Sequence, residues 1–445
     1  MNQLSSTGPS SAELPPAESV SLSDQLARMR RQRKQLSRTI GAAKKSGENV
    51  EDLLEQCRLL SLQESNLIQR IQAATAPIAS PPTPDRPAAA VDVAPCVQER
   101  NEPVTISLLD DAESPAWDTF VGRRPEASSY HLIGWRHICF QAFGHASHYL
   151  VAKRGQGIVG VLPLVQLQSI LFGNFLVSMP FLNYGGVLAE DDEVRAQLTA
   201  HAATLTRDLG CSHLELRERV PSASWPMRTE KVSMWLPLPG TEEALWSQIG
   251  SKRRAKIKKG QNHGLAFEVG GAELLDDFYR VFSTNMRDLG TPVYAKRFFE
   301  LVLKEAPGRP ELVVGRNTQG KAVAAALVLQ HGERMEVPWA STLRAANSLN
   351  ANMVLYWTML RHACQIGCTT FDFGRSTADA STYRFKKEWG AQVVPLFWHY
   401  WMADGGAIPQ INPGNPKYKL AIAAWKNLPV MLANRLGPHI SRSIP

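Results

Sequence analysis

The densest group of reactive side chains lies within residues 368–392, in the segment CTTFDFGRSTADASTYRFKKEWGAQ. Asp372 ends a predicted buried strand, and Arg375 lies in the glycine turn that follows it. Such turns are usual positions for reactive groups, because the loop is exposed while the strand holds it rigidly. Tyr383 and Lys386 come next, on a predicted short helix that faces the same turn.

These side chains suit the transfer of an acyl group to an amine. The reaction passes through a tetrahedral oxyanion, which a fixed cation stabilises, and Lys386 or Arg375 would supply that cation. We therefore predict a catalytic group made of Lys386, Asp372, Arg375 and Tyr383. A structural ion pair between Asp372 and Arg375 is an alternative that does not conflict with catalysis.

A strongly basic segment, SKRRAKIKKGQNHG (Ser251–Gly264), contains six basic residues and no acidic residue. This density favours an anionic partner such as phosphate, pyrophosphate or RNA. A solvated charged surface is the alternative. We predict that the segment binds substrate through Lys252, Arg253, Arg254, Lys256 and Lys259.

The segment PFLNYGG (Pro180–Gly186) is a second predicted binding segment. Its two glycines would let the backbone approach a ligand closely, and Asn183 and Tyr184 would contact that ligand. A simple hairpin turn is the alternative.

The elements that must position these groups form two successive copies of one pattern. Residues 104–239 predict a mixed α/β domain, and residues 240–402 repeat its order of strand hairpin, helix and strand. We therefore predict an α/β fold of two tandem domains. Single strands are predicted over 158–168 and 393–400, and helices over 242–261 and 347–367.

The N-terminal region predicts a separate element. Residues 1–20 form a polar, disordered lead, and residues 74–103 form a Pro/Ala-rich linker. Between them, residues 21–73 carry two apolar stripes around a glycine turn, which is typical of an antiparallel coiled-coil hairpin. The first helix is rich in Arg and Lys. The hairpin therefore either contacts RNA phosphates or acts as a dimerisation or spacer coil.

The C-terminal tail, residues 403–445, predicts two amphipathic helices separated by Pro429. They would pack against the body of the protein. Alternatively, they would touch a membrane surface through Trp425, Leu432 and Leu436 beside basic residues.

Composition bounds the setting of the protein. Its 445 residues carry a formal net charge of +8 and six cysteines. The length fits two or three domains, and the cysteines are too few and scattered for a disulfide framework or a zinc site. The N-terminus lacks the features of a signal peptide, and the apolar runs are shorter than the roughly 18–20 residues of a membrane span. These features predict a soluble cytoplasmic protein with reduced thiols and no metal.

Several of these segments together resemble the FemAB-like proteins, relatives of the Fem-type peptidyltransferases. The resemblance covers residues 104–445 and is carried by SKRRAKIKK, NSLNANMVLYW, FDFGRS and Y-x-FKKEWG. PFLNYGG and the tail NPKY…WKNLP…LGPHISR are most similar to the subgroup associated with exosortase and exopolysaccharide systems. This resemblance implies tandem acetyltransferase-like (GNAT-like) domains, an aminoacyl-tRNA donor and an amine acceptor on an envelope or exopolysaccharide precursor. It also implies that Lys386, in the family's F-K-x-x-F/W-G motif, stabilises the charged intermediate.

The stretch RRQRKQLSRTIGAAKKSGENVEDLLEQC resembles the tRNA-binding arm of seryl-tRNA synthetase. Some Fem enzymes carry a similar arm, although it is inserted within the body of the enzyme. The resemblance implies contact with tRNA through residues 21–73 and the basic segment 251–264.

The donor can be examined in the loop before the helix predicted at 347–367. Acetyl-CoA-dependent enzymes of this fold bind pyrophosphate with backbone N–H groups of a glycine-containing turn at a helix N-terminus. The corresponding stretch here, STLRAANSLN, holds no glycine, which favours aminoacyl-tRNA over acyl-CoA as the donor co-substrate. An acyl-CoA-dependent GNAT N-acetyltransferase, a non-catalytic adaptor for tRNA or a nucleotide-sugar, and a homodimer remain open.

Overall fold

The computed structural model describes residues 22–46, 52–53, 56, 60, 102–169, 172–221, 224–409 and 416–445. These residues belong to two compact units, 1–94 and 95–445. In the first unit, helix α1 spans Leu22–Ser46, where the sequence predicts the first helix of the hairpin. The lead, the linker and nearly all of the second predicted helix lie outside the described residues, so the antiparallel hairpin stays a prediction.

The N-terminal part of the second unit holds two sheets. The first contains β1 (Val104–Leu108), β2 (Leu150–Arg154), β3 (Gly157–Leu162) and β6 (Leu188–Ala189), in the order β1-β2-β3-β6. The second contains β4 (Val165–Ser169), β5 (Gly173–Val177), β7 (His213–Glu218), β8 (Met227–Arg228) and β17 (Phe397–Met402), in the order β4-β5-β7-β17-β8. Helices α2 (Ser114–Gly122), α3 (Gly134–Phe143) and α4 (Asp192–Asp208) connect these strands.

The C-terminal part is built on one eight-stranded sheet. Its strands are β9 (Lys231–Pro237), β10 (Ala266–Gly270), β11 (Arg309–Arg316), β12 (Ala322–His331), β13 (Arg334–Thr342), β14 (Thr370–Asp372), β15 (Ser376–Thr377) and β16 (Gln392–Pro395). Their order is β10-β11-β12-β13-β14-β9-β15, with β16 also paired to β9. Its helices are α5 (Glu242–Gln248), α6 (Ser251–Asn262), α7 (Leu275–Leu289), α8 (Lys296–Glu305), α9 (Ala351–Gln365) and α10 (Ser381–Glu388).

Local sequence explains the most regular of these elements. Strand β12 is almost entirely apolar, AVAAALVLQH, because it lies inside the sheet with both faces buried. Helix α7 buries Phe278, Val281 and Phe282 on one face, and it ends at Gly290 in a left-handed conformation. Helix α4 begins where the Asp191 carboxylate accepts a hydrogen bond from the backbone N–H of Val194.

Two strands cross the predicted domain division at residues 239/240. Strand β9 precedes that division but lies in the eight-stranded sheet, antiparallel to β14. Strand β17 lies within the predicted second domain, yet it pairs antiparallel with β7 in an N-terminal sheet. The two halves therefore each complete a sheet of the other, and residues 95–445 form one compact unit.

Three elements that were predicted as continuous are each two separate elements in the structure, so these three predictions were wrong. The strand predicted over 158–168 is β3 and β4, interrupted at Pro163. The helix predicted over 242–261 is α5 and α6, separated at Ile249 and Gly250. The strand predicted over 393–400 is β16 and β17, which belong to different sheets.

The C-terminal tail packs against the body of the protein, which is the first of the two arrangements predicted for it. It contains α11 (Pro416–Lys426) and α12 (Val430–Ser441). The Arg287 guanidinium donates a hydrogen bond to the carbonyl of Leu428 over 2.7 Å, and the Ser441 hydroxyl donates to the carbonyl of Val293 over 3.1 Å.

Three further properties follow from the described residues. None of the described helices is both long and apolar enough to cross a membrane. Within the same residues, no group of three or more His, Cys, Asp or Glu side chains is arranged to hold a metal ion. Cys139, Cys211, Cys364 and Cys368 are free and buried.

Candidate active site

Asp372 lies at the centre of a buried polar group between the two halves of the second unit. Its side chain is 0% exposed. Oδ1 accepts hydrogen bonds from the Ser233 hydroxyl over 2.6 Å and from the Gly374 backbone N–H over 2.8 Å. Oδ2 accepts from the Trp235 indole N–H over 2.7 Å and from the Tyr184 hydroxyl over 3.0 Å. Four donors make this carboxylate a fixed anchor that joins β9, the 178–186 loop and the turn after β14.

The loop over residues 178–186 carries Asn183 and Tyr184 into this group. It is held against β7, because the Arg217 guanidinium donates to the carbonyl of Leu182 over 3.0 Å and the Gly185 N–H donates to the carbonyl of Arg217 over 3.1 Å. Met179 and Phe181 both have positive φ, 55° and 70°. Such backbone strain in residues other than glycine is found mainly where the surrounding structure holds a functional loop in place.

The glycines of PFLNYGG have a different role from the predicted one. A Cβ atom on Gly185 would lie 2.5 Å from Cγ of Met179, and one on Gly186 would lie 2.3 Å from Cγ of Glu218. They therefore allow the loop to pack on its own side chains and on β7. Gly374 is the glycine that the site requires, because its φ is 71° and a Cβ atom would lie 2.9 Å from the carbonyl oxygen of Val337.

A second buried carboxylate, Glu336 on β13, lies beside Asp372. Glu336 is 4% exposed, and its Oε1 accepts a hydrogen bond from the Asn183 amide over 2.7 Å. Burial, reinforced by the negative charge of Asp372, raises the pKa of Glu336 from 4.5 to about 8. A carboxylate with this pKa can take and release a proton near neutral pH.

Lys386 closes the group from helix α10. Its ammonium donates to the carbonyls of Gly374 over 2.9 Å and of Arg375 over 3.0 Å, and the residue is 6% exposed. Burial lowers the pKa of Lys386 to about 8, although the charges of Asp372 and Glu336 oppose the shift. These two carbonyls are its only hydrogen-bond acceptors among the described residues, which leaves one N–H of the ammonium for a ligand.

Arg375 does not pair with Asp372, so the predicted structural ion pair between them was wrong. Its guanidinium instead lies 5.0 Å from the ring centroid of Trp398, on β17, and that of Arg217 lies 4.4 Å from the same ring. Burial, followed by the nearby charge of Arg217, lowers the pKa of Arg375 to about 10. Arg217 pairs with Glu215 over 2.6 Å. Arg375 has no ion pair within the described residues, and its Nη1 is buried without a hydrogen-bond partner.

Two further guanidinium groups border the site around Trp235. Arg219 lies 5.2 Å and Arg334 lies 4.8 Å from the centroid of that ring. Arg334 donates to the carbonyl of Ala127 over 2.7 Å, and Arg219 donates to the carbonyl of Glu126. Neither forms an ion pair in the described part of the chain. Positive groups therefore outnumber the two carboxylates here, and the site favours an anionic ligand.

Strand β14 ends next to Glu336. It pairs in parallel with β13 over Arg334–Glu336 and Thr370–Asp372, and the turn at Gly374 passes close to Val337. Among the described residues, 337–342 of β13 have no strand partner on that side. An extended acyl or peptide group could bind there by adding to the edge.

The loop before α9 is not a glycine-containing phosphate loop. Residues Arg344–Leu349 form a 3-10 helix, and Asn350 has a φ of 56°. Helix α6 packs directly over this point, because a Cβ atom on Gly260 would lie 2.5 Å from Val354 and 3.1 Å from the carbonyl oxygen of Leu349. The N-terminus of α9 is therefore covered by the basic helix.

The six basic side chains of α6 divide into two groups. Arg254 donates to the carbonyl of Trp246 over 3.1 Å and so closes the end of α5. The other five, Lys252, Arg253, Lys256, Lys258 and Lys259, form no ion pair within the described residues, and Lys252, Lys258 and Lys259 are exposed. This arrangement leaves a cationic surface beside the start of α9.

The structure brings Asp372, Arg375, Lys386, Asn183 and Tyr184 into one region, while the basic helix lies apart from their hydrogen bonds. Tyr383, predicted as catalytic, packs in the apolar core of the eight-stranded sheet. The site also contains five residues that were not predicted from sequence: Glu336, Ser233, Trp235, Arg219 and Arg334. The one available signal was Glu336, an isolated acidic residue in the otherwise buried strand RMEVPWAST.

The comparisons with known proteins agree with this architecture. Residues 251–387, which include α6, Glu336, Asp372 and Lys386, match the sequence model of an acetyltransferase (GNAT) domain. The crystal structure of FemX matches with a TM-score of 0.52 at 13% identity, over 72% of this chain and 100% of FemX. No curated protein sequence matches the chain.

Two other solved structures match more weakly. L-PGS from Bacillus licheniformis has a TM-score of 0.45 at 10% identity, over 72% of this chain and 98% of that chain. The tandem GNAT protein from the clavulanic acid biosynthesis pathway has a TM-score of 0.42 at 13% identity, over 69% and 100%. The GNAT match and the likeness to FemX show that the chain has a GNAT-like mixed α/β acyltransferase fold, which confirms that part of the predicted fold class.

Proposed function

We propose that this protein is a Fem-type N-acyltransferase that moves an aminoacyl or acyl group onto an amine of a cell-envelope or exopolysaccharide precursor. The observation that carries the proposal is the pair Glu336 and Lys386. Both are buried and both have a pKa near 8. Glu336 pairs in register with Asp372, and Lys386 donates to the turn that follows Asp372. A base and a cation in one site are what amide formation requires.

The reaction follows from these positions. The acceptor amine attacks the carbonyl carbon of the donor, and a C–N bond forms while the carbonyl oxygen becomes an oxyanion. The free N–H of Lys386 stabilises that oxyanion. Glu336 removes a proton from the attacking nitrogen, and collapse of the intermediate breaks the bond to the leaving oxygen or sulfur, which departs as the alcohol or thiol after receiving that proton. Asp372 positions the turn through its hydrogen bond from the Gly374 N–H.

Aminoacyl-tRNA is the donor that the surface around α9 supports best. The helix N-terminus that would hold a pyrophosphate is covered by Gly260 of α6. The exposed lysines of α6 instead offer a broad cationic surface, which suits a polyanion rather than one pyrophosphate. The match of residues 251–387 to a GNAT domain favours a second candidate, an acyl-CoA-dependent N-acyltransferase.

The positive balance of the centre supports an acceptor that carries its own negative charge. Arg219, Arg334 and Arg375 have no ion pair within the described residues. Each of them borders the site that contains Glu336 and Lys386. A phosphate or carboxylate on the acceptor would offset these positive charges. Envelope and polysaccharide precursors carry such groups.

The test is a transfer assay with two labelled donors, charged tRNA and acyl-CoA, and a panel of amines that carry phosphate or carboxylate groups. We expect transfer from charged tRNA, and Glu336→Gln should reduce kcat by roughly 10²–10⁴-fold while the protein stays folded. Glu311→Gln is the matched control, because Glu311 is a partly buried glutamate on β11 of the same sheet that pairs with His362. It should keep wild-type kcat.

Each alternative result has a defined meaning. Transfer from acyl-CoA alone would establish the second candidate. Absence of transfer from both donors, with tRNA binding intact, would establish the non-catalytic adaptor and overturn the proposal. Equal activity of Glu336→Gln and wild type would exclude Glu336 as the base.

A further inference from the structure

Helix α12 faces the body with small side chains. Ala433, Gly437 and Ser441 recur at intervals of one helical turn, and all three are buried. A Cβ atom on Gly437 would lie 2.9 Å from the backbone nitrogen and oxygen of Val293. The helix therefore packs closely on the body without using its large apolar residues.

Those large residues face the solvent. Met431 is 82% exposed, Leu432 and Leu436 are each 46% exposed, and Leu420 on α11 is 76% exposed. Leu289, at the end of α7 where Gly290 packs against Ile422 of α11, is 54% exposed. Five of the nine exposed large apolar side chains in the described residues thus lie on the tail or directly under it. An ordinary water-facing helix carries polar residues at such positions.

The charges on this part of the chain have one sign. No Asp or Glu occurs after Asp404, whereas the same stretch contains Lys417, Lys419, Lys426, Arg435 and Arg442. Asp288, which follows the Arg287 that contacts the tail at Leu428, is paired with Arg287 and Arg344. Lys426, Arg435 and Arg442 are exposed and form no ion pair within the described residues. Exposed apolar side chains among such cations are complementary to an anionic lipid surface.

We propose that α11 and α12 dock the protein on the surface of a membrane rich in anionic lipid. Leu420, Met431, Leu432 and Leu436 enter the boundary between headgroups and acyl chains, and the basic residues bind the headgroups. Trp425, predicted from sequence as a membrane contact, is not an anchor, because it is only partly exposed and its indole N–H is buried. The proposal stands independently of the acyl-transfer reaction.

The experiment is co-sedimentation of the full chain with vesicles of phosphatidylcholine alone and with about one third phosphatidylglycerol. Wild type should bind the anionic vesicles and lose that binding as NaCl rises from roughly 0.05 to 0.5 M. The variant Leu420→Ser/Met431→Ser/Leu436→Ser should bind at least about tenfold more weakly, since buried apolar area sets the strength of interfacial binding. Lys426→Glu/Arg435→Glu should lose binding to the anionic vesicles.

The matched control is Leu108→Ser/Met227→Ser, which removes exposed apolar side chains from β1 and β8 instead. It should bind like wild type. No binding of wild type to either vesicle would overturn the proposal, as would equal binding of the triple-serine variant. A second copy of the chain would be the partner of this surface under two conditions. Wild type would bind neither vesicle, and its mass in solution would be that of a dimer while the triple-serine variant is a monomer. Melting curves establish that each variant is folded.

Discussion

Asp372 receives hydrogen bonds from four donors, whereas the Glu336 carboxylate accepts one from the Asn183 amide and lies against the Tyr130 hydroxyl. The dense hydrogen bonding fixes Asp372 in place, whereas burial beside the charge of Asp372 raises the pKa of Glu336. The same burial acts with opposite sign on Lys386. Two groups that favour their neutral forms thus interact electrostatically in one buried site, and each titrates near the pH at which it would act.

The pH dependence of kcat/KM follows from these two groups. The pKa of Glu336 is raised to about 8, so the fraction able to act as a base grows as pH rises through that value. The pKa of Lys386 is lowered to about 8, so its cationic fraction falls over the same range. We therefore expect a bell-shaped profile with its maximum near pH 8. Glu336→Gln should remove the rising limb, and an unchanged profile in that variant would contradict the assignment.

Replacement of Lys386 should affect both rate and stability. Lys386→Ala removes the oxyanion donor, so kcat should fall by roughly 10²–10³-fold. It also removes two hydrogen bonds to the turn at Gly374 and Arg375, so the melting temperature should fall by several degrees. Lys387→Ala is the matched control, since Lys387 is exposed and lies over the ring of Tyr383. A folded Lys386→Ala protein with wild-type kcat would exclude Lys386 from the chemistry.

At the scale of elements, β9 and β17 decide where the site can form. Strand β9 supplies Ser233 and Trp235 to Asp372, and β17 supplies Trp398 to Arg375. Each strand lies in the sheet of the opposite half. The exchange fixes the two halves against each other, so that Asn183 and Tyr184 of one half reach the carboxylates of the other.

Helix α6 is the element whose charge can be tested separately. Reversal of its exposed lysines, Lys252, Lys258 and Lys259 to Glu, should abolish tRNA binding and flatten its salt dependence, because each phosphate contact contributes a log–log slope of about −0.7 to −0.9. The measurement is tRNA affinity over a salt series. Arg297→Glu/Lys304→Glu, which reverses two charges at exposed positions of α8, is the control and should change affinity far less. A reversed α6 with wild-type affinity and slope would show a solvated surface.

At the scale of the whole molecule, the chain separates into the unit that contains α1 and the unit that contains the candidate active site. Because residues 95–445 form a compact unit by themselves, removal of residues 1–94 should leave that unit folded. The remaining question is whether the N-terminal unit binds tRNA or pairs with a second copy.

Deletion of residues 1–94 distinguishes these two roles. If the N-terminal unit binds tRNA, the shortened protein should lose about 1–3 kcal/mol of tRNA affinity and keep kcat at saturation, because remote contacts contribute uniform binding. If it forms a dimer, the mass in solution should fall from that of two full chains to that of one shortened chain, and tRNA affinity should stay unchanged. Affinity and molar mass measured on the full and shortened proteins decide between the two. A shortened monomer with full tRNA affinity would exclude the tRNA role.

The sequence alone determined the elements whose signals are local. The apolar run of β12, the periodic faces of α4 and α7, the basic residues of α6 and the positions of Asp372, Arg375 and Lys386 could all be predicted, because spacing and side-chain type within a short window specify them. The grouping of Asp372 with Lys386 and Arg375 was available for the same reason, since all three lie within one segment.

Tertiary structure alone decided what those residues touch. Strand β9 was not predicted, and β17 was merged with β16, because their partners are distant in sequence and a strand's sheet is set by non-local pairing. Glu336 becomes a candidate base only after β13 is buried beside Asp372, since a pKa depends on desolvation and neighbouring charge. Arg375 turns to Trp398 rather than to Asp372 because the donors on β9 and the 178–186 loop already occupy that carboxylate. Local sequence pattern therefore specifies individual helices, strands and reactive residues, whereas the pairing of β9 and β17 with distant strands determines which of those residues meet in the site.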